Sequence, residues 1–239
     1  MNILAIDTAT EACSAALYLG GEPTDRKITS TYQLAPREHS RLILKMIDGL
    51  LKDKGLAVSD LDAIAFGRGP GSFMGLRIAA GVVQGIAFSH DIPVIPISTL
   101  KVIALCAYEL TQNKNVLVAI DARMDEVYWA AYYLSAGQWL LDGEEKVISP
   151  DKIQLPEMLI NKDKTWVGAG TGWGNYADRL LADTGFKLQT MLPDCLPTAA
   201  VMVQLAIKEF EVGNMVCAAE AIPIYLRNDV AKKPKPVIL

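Results

Sequence analysis

Histidine is scarce: His39 and His90 are the only two in 239 residues. Neither has a cysteine or a second histidine at ligand spacing, which argues against a metal centre. The four cysteines, Cys13, Cys106, Cys195 and Cys217, are too far apart in sequence for a zinc knuckle. A chain of this length needs no disulfide staples, so they read as reduced thiols. No Gly-x-Ser-x-Gly elbow occurs, and two histidines leave little scope for a nucleophile–base pair. Positive charge is not in excess: 23 Lys and Arg face 27 Asp and Glu, a net charge of -4. No overall basic field therefore holds nucleic acid by counterion release. Long apolar runs are also missing. The most apolar stretch, Ile78 to Phe88, contains Gln84 and is far shorter than the ~20 residues that span a bilayer. The opening Met1-Asn2-Ile3-Leu4-Ala5-Ile6-Asp7 has no cationic start, so the expectation is a soluble cytoplasmic protein without a signal peptide or membrane contact.

What is present is a globular composition. Hydrophobic residues make up 51% and charged residues 21%, which excludes global disorder, and the length suits one large domain or two small ones. Strands are expected at Asn2 to Ile6, Ala12 to Leu19 and Lys27 to Tyr32, with Gly20-Gly21 turning the first hairpin pair toward the third strand. The stripe Leu42, Ile43, Met46, Ile47, Leu50, Leu51 predicts an amphipathic helix stopped by Gly55. Strands at Leu61 to Phe66 and Pro93 to Ile97 then alternate with helices at Ser72 to Phe88 and Thr99 to Leu110. This order predicts a mixed sheet, an antiparallel meander continued by parallel crossovers. A second cycle begins at Asn115, with strands at Val116 to Ile120, Val127 to Tyr133, Gln138 to Leu141 and Thr165 to Gly168. Ser149-Pro150 opens a short helix, Thr198 to Glu211 forms a long one closed by Gly213, and the Lys232, Lys233, Lys235 tail is loose.

Three features carry chemistry. Asp7 and Thr8, at the carboxyl end of the first strand, either hold phosphate and Mg²⁺ or simply cap the turn. Gly67-Arg68-Gly69-Pro70-Gly71-Ser72-Phe73 forces the backbone into unusual conformations between a strand and a helix. It is neither a Walker A loop nor a dinucleotide fingerprint, and serves either ligand contact or tight turning. Asp121-Ala122-Arg123-Met124-Asp125-Glu126 is either an anion site or a self-satisfied ion-pair turn. Beyond these, the helix from Ser72 is apolar or small on nearly every side, with Gly75, Ala79, Gly81 and Gly85 spaced for close helix approach, and Leu44 adds to the excess on the preceding helix. Such a surface either packs within the monomer or awaits a second body.

The segments Ile3-Leu4-Ala5-Ile6-Asp7-Thr8-Ala9-Thr10-Glu11, Pro36-Arg37-Glu38-His39-Ser40, Gly67 to Phe73, Ala119 to Tyr128 and Pro223-Ile224-Tyr225-Leu226-Arg227-Asn228 together resemble the TsaB (YeaZ) family, from the first residue to about Val230. The resemblance implies an α/β fold of two ribonuclease-H-like lobes, of the actin, sugar-kinase and chaperone-ATPase superfamily, with mixed sheets flanked by helices. It implies an N-terminal lobe at 1–110 carrying partner-binding helices, and a smaller, degenerate lobe at 111–239 with a basic tail. The implied function is a non-catalytic scaffold in tRNA threonylcarbamoyladenosine formation. Such a scaffold binds the catalytic paralogue TsaD, works with the ATPase TsaE, pairs with itself when alone, and meets tRNA only through the complex. Partner contact then maps to His39, Leu42, Ile43, Met46, Ile47, Leu50, Gly75, Leu76, Ala79, Val82 and Val83. TsaD holds its metal through a His-x-x-x-His pair where this chain has Thr99 and Ile103, so no metal and no cofactor are implied. Asp7, Thr8, Gly69, Gly71 and Ser72 would be a vestigial nucleotide site: Ala9 and Ala122 stand where active relatives tend to have glycine, and Met74 where the family usually has threonine. The rival readings are an ATP-dependent small-molecule kinase or ATPase on the same scaffold, and a metallopeptidase.

Overall fold

The computed structural model describes residues 1–20, 27–153, 165–182 and 188–227. Gly21 of the expected hairpin turn, Asn228, and the tail with Lys232, Lys233 and Lys235 lie outside the described residues. Strands β1 (Asn2–Asp7), β2 (Ala12–Leu19) and β3 (Lys27–Leu34) form the expected antiparallel meander, and β4 (Ala63–Gly69) and β5 (Val94–Ser98) add to it in parallel. The resulting order is β3-β2-β1-β4-β5. The second sheet repeats the plan as β10-β9-β6-β7-β8: the meander β6 (Asn115–Arg123), β7 (Glu126–Ser135) and β8 (Gln138–Ile148), then β9 (Val167–Ala169) and β10 (Thr190–Leu192) in parallel. These are the two mixed, helix-flanked sheets of a two-lobed ribonuclease-H-like fold.

Helices α1 (His39–Lys54) and α2 (Phe73–Ser89) cover the outer face of the first sheet. Gly55, with φ 65°, ends α1 by donating its N–H to the Leu51 and Lys52 carbonyls, as a left-handed cap does. Ser72 caps α2, its hydroxyl accepting from Gly75 N–H at 3.3 Å. Helix α4 (Gly172–Leu181) covers the outer face of the second sheet. Between the sheets lie α3 (Thr99–Thr111) and α5 (Ala199–Glu211), which share one apolar core with inward residues of both sheets, such as Ile3, Ala16, Val118 and Val167.

The middle layer interleaves the two halves. Helix α5 belongs to the second segment yet packs on β1 and β2, and its first N–H, from Ala199, donates to the Ser14 hydroxyl at 2.9 Å. Helix α3 belongs to the first segment and packs chiefly on β6. A cut at 110/111 therefore separates the two sheets but strands each middle helix on the far side from its principal support. Removing either segment would uncover the shared core, and at ~25 cal/mol per Å² of apolar surface neither half is expected to stand alone.

Candidate functional site

The outer helices are the first candidate, and burial divides their residues sharply. On α1, His39, Ile43, Ile47 and Leu50 are buried against the first sheet; on α2, so are Gly75, Leu76, Ala79 and Val83. These eight expected contact residues pack into the chain's own core and keep at most a few per cent of their surface in solvent. Leu42, Met46 and Val82 are half-buried and keep part of their side chains in solvent. The outward stripe of α2 consists instead of Met74, Ile78, Gly81, Val82, Gly85 and Phe88, at helical steps of three and four. Met74 is 63% exposed and Phe88 80%, and nothing lies within 4 Å of a Cβ built at Gly81 or Gly85. On α1, Leu44 is 54% exposed. Two bulky apolar side chains thus flank two glycines that add no side chain to the helix surface, a pattern that lets another helix approach closely.

The second candidate is the turn after β1 with the glycine loop that faces it. Asp7 is wholly buried; Oδ1 accepts from Ala9 N–H at 3.0 Å, and Oδ2 has no hydrogen-bond partner among the described residues. Burial pushes its carboxyl up to about 7, against the small opposing pull of the Ala9 N–H. The Thr8 hydroxyl, also buried, donates to the Gly75 carbonyl at 2.7 Å. Ser72 N–H donates to the Ala9 carbonyl at 2.7 Å, and a Cβ on Gly71 would stand 2.4 Å from that same oxygen. Gly69, at φ 106°, lies under the returning C-terminal backbone, where a Cβ would meet the Ile224 carbonyl at 2.8 Å. The space that a phosphate and its cation would need between turn and loop is filled by the chain's own backbone. Asp7 is shut off from solvent and is not among the residues that wall the cleft, so it presents no carboxylate there to a cation.

The second lobe carries a counterpart. Asp121 accepts from Arg123 N–H at 2.8 Å and from Asn175 Nδ2 at 3.0 Å, and its own N–H donates to the Thr171 hydroxyl at 3.0 Å. The turn Arg123, Met124, Asp125 runs through positive φ values of 62°, 56° and 63°. Its acids are all satisfied within the chain: Asp121 by Arg123, Asp125 by Arg179 at 2.5 Å, and Glu126 by Arg227 at 2.5 Å. Between the two turns lies a cleft of about 1120 Å³, walled by Ala9, Ser72, Arg77, Asp121, Arg123 and Arg227 among others. Thr99 and Ile103 are buried on α3, and the described residues contain no cluster of three potential ligands among His, Cys, Asp and Glu. A metallopeptidase centre has no ligand set there.

Residues 28–233 match the family model described as TsaD: tRNA N6-adenosine threonylcarbamoyltransferase. The chain is 41% identical over 237 residues to the tRNA threonylcarbamoyladenosine biosynthesis protein TsaB of Escherichia coli, covering 99% of both chains. It is 42% identical to the TsaB protein of Haemophilus influenzae, covering 99% of this chain and 98% of that one. The chain belongs to this family, in its TsaB (YeaZ) line. YeaZ from Pseudomonas aeruginosa superposes with a TM-score of 0.85 at 43% identity, over 94% of this chain and 99% of that one. A second structure, described as having similarity to peptidase YEAZ from the same organism, gives 0.86 at 43% identity, over 95% and 99%.

Of the eleven residues expected to meet a partner, eight face the sheet from α1 and α2 and three are half-buried. The signal for the outward set was the excess of small and apolar residues on α2 beyond one stripe, which marks that a second face exists without saying which residues form it. Ile224 to Arg227, which also line the cleft, gave no signal beyond their place in the resemblance.

Proposed function

We propose that the chain is the non-catalytic scaffold and activating subunit of the tRNA threonylcarbamoyladenosine-forming assembly, docking the catalytic paralogue TsaD on the outward face of α1 and α2. The observation that carries this is the solvent-facing stripe of α2, with Met74, Gly81, Gly85 and Phe88 exposed and Ile78 and Val82 half-buried, together with the exposed Leu44 on α1. A partner with a similar helix pair would lay its own apolar ridge over the two glycines, and a standard interface would cover ~800 Å² on each side. The same stripe would serve a second copy of this chain when TsaD is absent. TsaE joins through the assembly, tRNA is met there rather than by a basic surface of this chain, and the whole works in the cytoplasm. The backbone-filled glycine loop and the missing ligand set favour this reading over the kinase and metallopeptidase alternatives.

The test is co-elution with TsaD in size-exclusion chromatography, followed by in vitro tRNA modification with TsaD and TsaE. Gly81→Leu and Gly85→Arg fill open space on the monomer, so both variants are expected to fold, lose co-elution and lose stimulation of modification. Unchanged co-elution of both variants would reject the mapped face. Micromolar ATP binding by the isolated chain would favour the kinase reading.

A further inference from the structure

Contacts that docking does not use converge on the last described residues. After α5 the backbone returns to the first lobe, where Val216 bridges to Val94 of β5 and Gln84 of α2 donates to the Ala221 carbonyl at 3.2 Å. Ile224 N–H then donates to the Arg68 carbonyl in β4 at 2.8 Å. The Tyr225 ring packs on Phe73 with centroids 5.5 Å apart, and its hydroxyl accepts from Arg77 Nε at 3.2 Å. Two residues further on, the chain has reached the other lobe. Arg227, with a side chain 15% exposed, sets Nη2 at 2.5 Å from the Glu126 carboxylate and 3.3 Å from the Arg123 carbonyl. Its Nη1 lies 3.6 Å from Met124 Sδ. Residues 224–227 therefore run from β4 of one sheet to the β6–β7 turn of the other and form part of the cleft wall.

A cleft between two lobes opens by rotation about a few hinge residues unless something on its rim joins the halves. A partly buried guanidinium shared by a carboxylate and a carbonyl is a strong join, because separating it leaves charged groups desolvated and unpaired. We propose that Arg227 is an interlobe clamp: the C-terminal strap 216–227 fixes the width of the cleft by tying β4 to the β6–β7 turn. A second tie, outside the cleft wall, works in the same direction. Glu145 of β8 accepts from the Tyr132 hydroxyl at 2.6 Å and from the Ser98 hydroxyl, and lies 3.6 Å from the Arg68 guanidinium. Arg68 thus serves both ties, its carbonyl holding the strap and its side chain holding the second lobe. The clamp acts inside one subunit and stands independently of the docking proposal.

Spin labels at Ser40 on α1 and Asp178 on α4, both exposed and on opposite lobes, report the separation by pulsed dipolar spectroscopy on the full chain. A Cys217→Ser background removes the one exposed thiol among the four cysteines. Arg227→Glu, which sets two carboxylates together, is expected to shift the distance distribution to longer values and broaden it. Adding Glu126→Arg restores the opposite-charge pair and is expected to return the distribution toward that of the parent. Superimposable distributions for parent and Arg227→Glu overturn the clamp, and so does a double variant that stays open. Where Arg227→Glu does not fold, Arg227→Gln is read instead: a longer, broader distribution supports the clamp and an unchanged one overturns it.

Discussion

Asp7→Asn isolates the energetic role of a carboxyl that the fold buries completely beside the glycine loop. In the folded chain this carboxyl is pushed from its ordinary 3.8 up to about 7, first by burial, and in the unfolded chain it returns to the ordinary value. Below pH 4 both states hold the proton and Asp7 contributes no pH dependence. Between pH 4 and pH 7 the unfolded state releases the proton while the folded state keeps it, so stability falls as pH rises and levels off above about 7. At about 1.4 kcal/mol per pH unit, the loss across that window is on the order of 4 kcal/mol. Asparagine cannot titrate. The variant pays a fixed cost for an unpaired amide where Oδ2 lies, roughly 1–3 kcal/mol, at every pH. Urea unfolding from pH 4.5 to 8, followed by tryptophan fluorescence, gives both curves. The variant is expected to be less stable than the parent at pH 4.5 and to overtake it by pH 8. A stability difference that does not change with pH would refute the buried-acid argument, and so would a parent that gains stability over the same range.

Gly71→Ala is expected to destabilise by about 1–3 kcal/mol, because its Cβ would stand 2.4 Å from the Ala9 carbonyl. Gly85→Ala, on open helix surface, is expected to stabilise by up to ~1 kcal/mol; equal effects in thermal melts would contradict the close turn–loop contact. Of the four thiols only Cys217 is exposed, so thiol titration of the native protein at pH 8 is expected to show one fast equivalent. Cys13, pushed up to about 11 by burial and then by Asp7, stays unreactive until the chain unfolds, and two fast equivalents would contradict this packing.

Legibility in the sequence followed how local each determinant was. Strands β1, β2, β4 and β5 and helices α1, α2, α3 and α5 are apolar patterns punctuated by Gly55, Ser72, Ser98 and Thr198, and each of these residues makes the cap that its type suggests. Helix α4 escaped because it opens on Gly172-Trp173-Gly174 with no capping side chain and bends at Tyr176, where φ is -132°. Strand β8 was expected to end at Leu141 but runs to Ile148, since an edge strand buries little and Asp142-Gly143-Glu144-Glu145 reads as a turn. The packing of α5 across the 110/111 division could not be read at all: periodicity tells a helix that it has an apolar face, and only the sheet order decides which sheet receives it. The same limit applies to the outward face of α2. Leu76, Ala79 and Val83 are as apolar as Ile78 and Val82, and what separates core from solvent-facing side is the rotation of α2 over the sheet, held by the Thr8 hydroxyl donating to the Gly75 carbonyl and Ser72 N–H donating to the Ala9 carbonyl. The glycine loop that looked like a phosphate cradle is therefore what aims the helix. Its missing side chains let the β1–β2 turn seat directly against the loop and the start of α2, and that seating turns Met74, Gly81, Gly85 and Phe88 toward solvent.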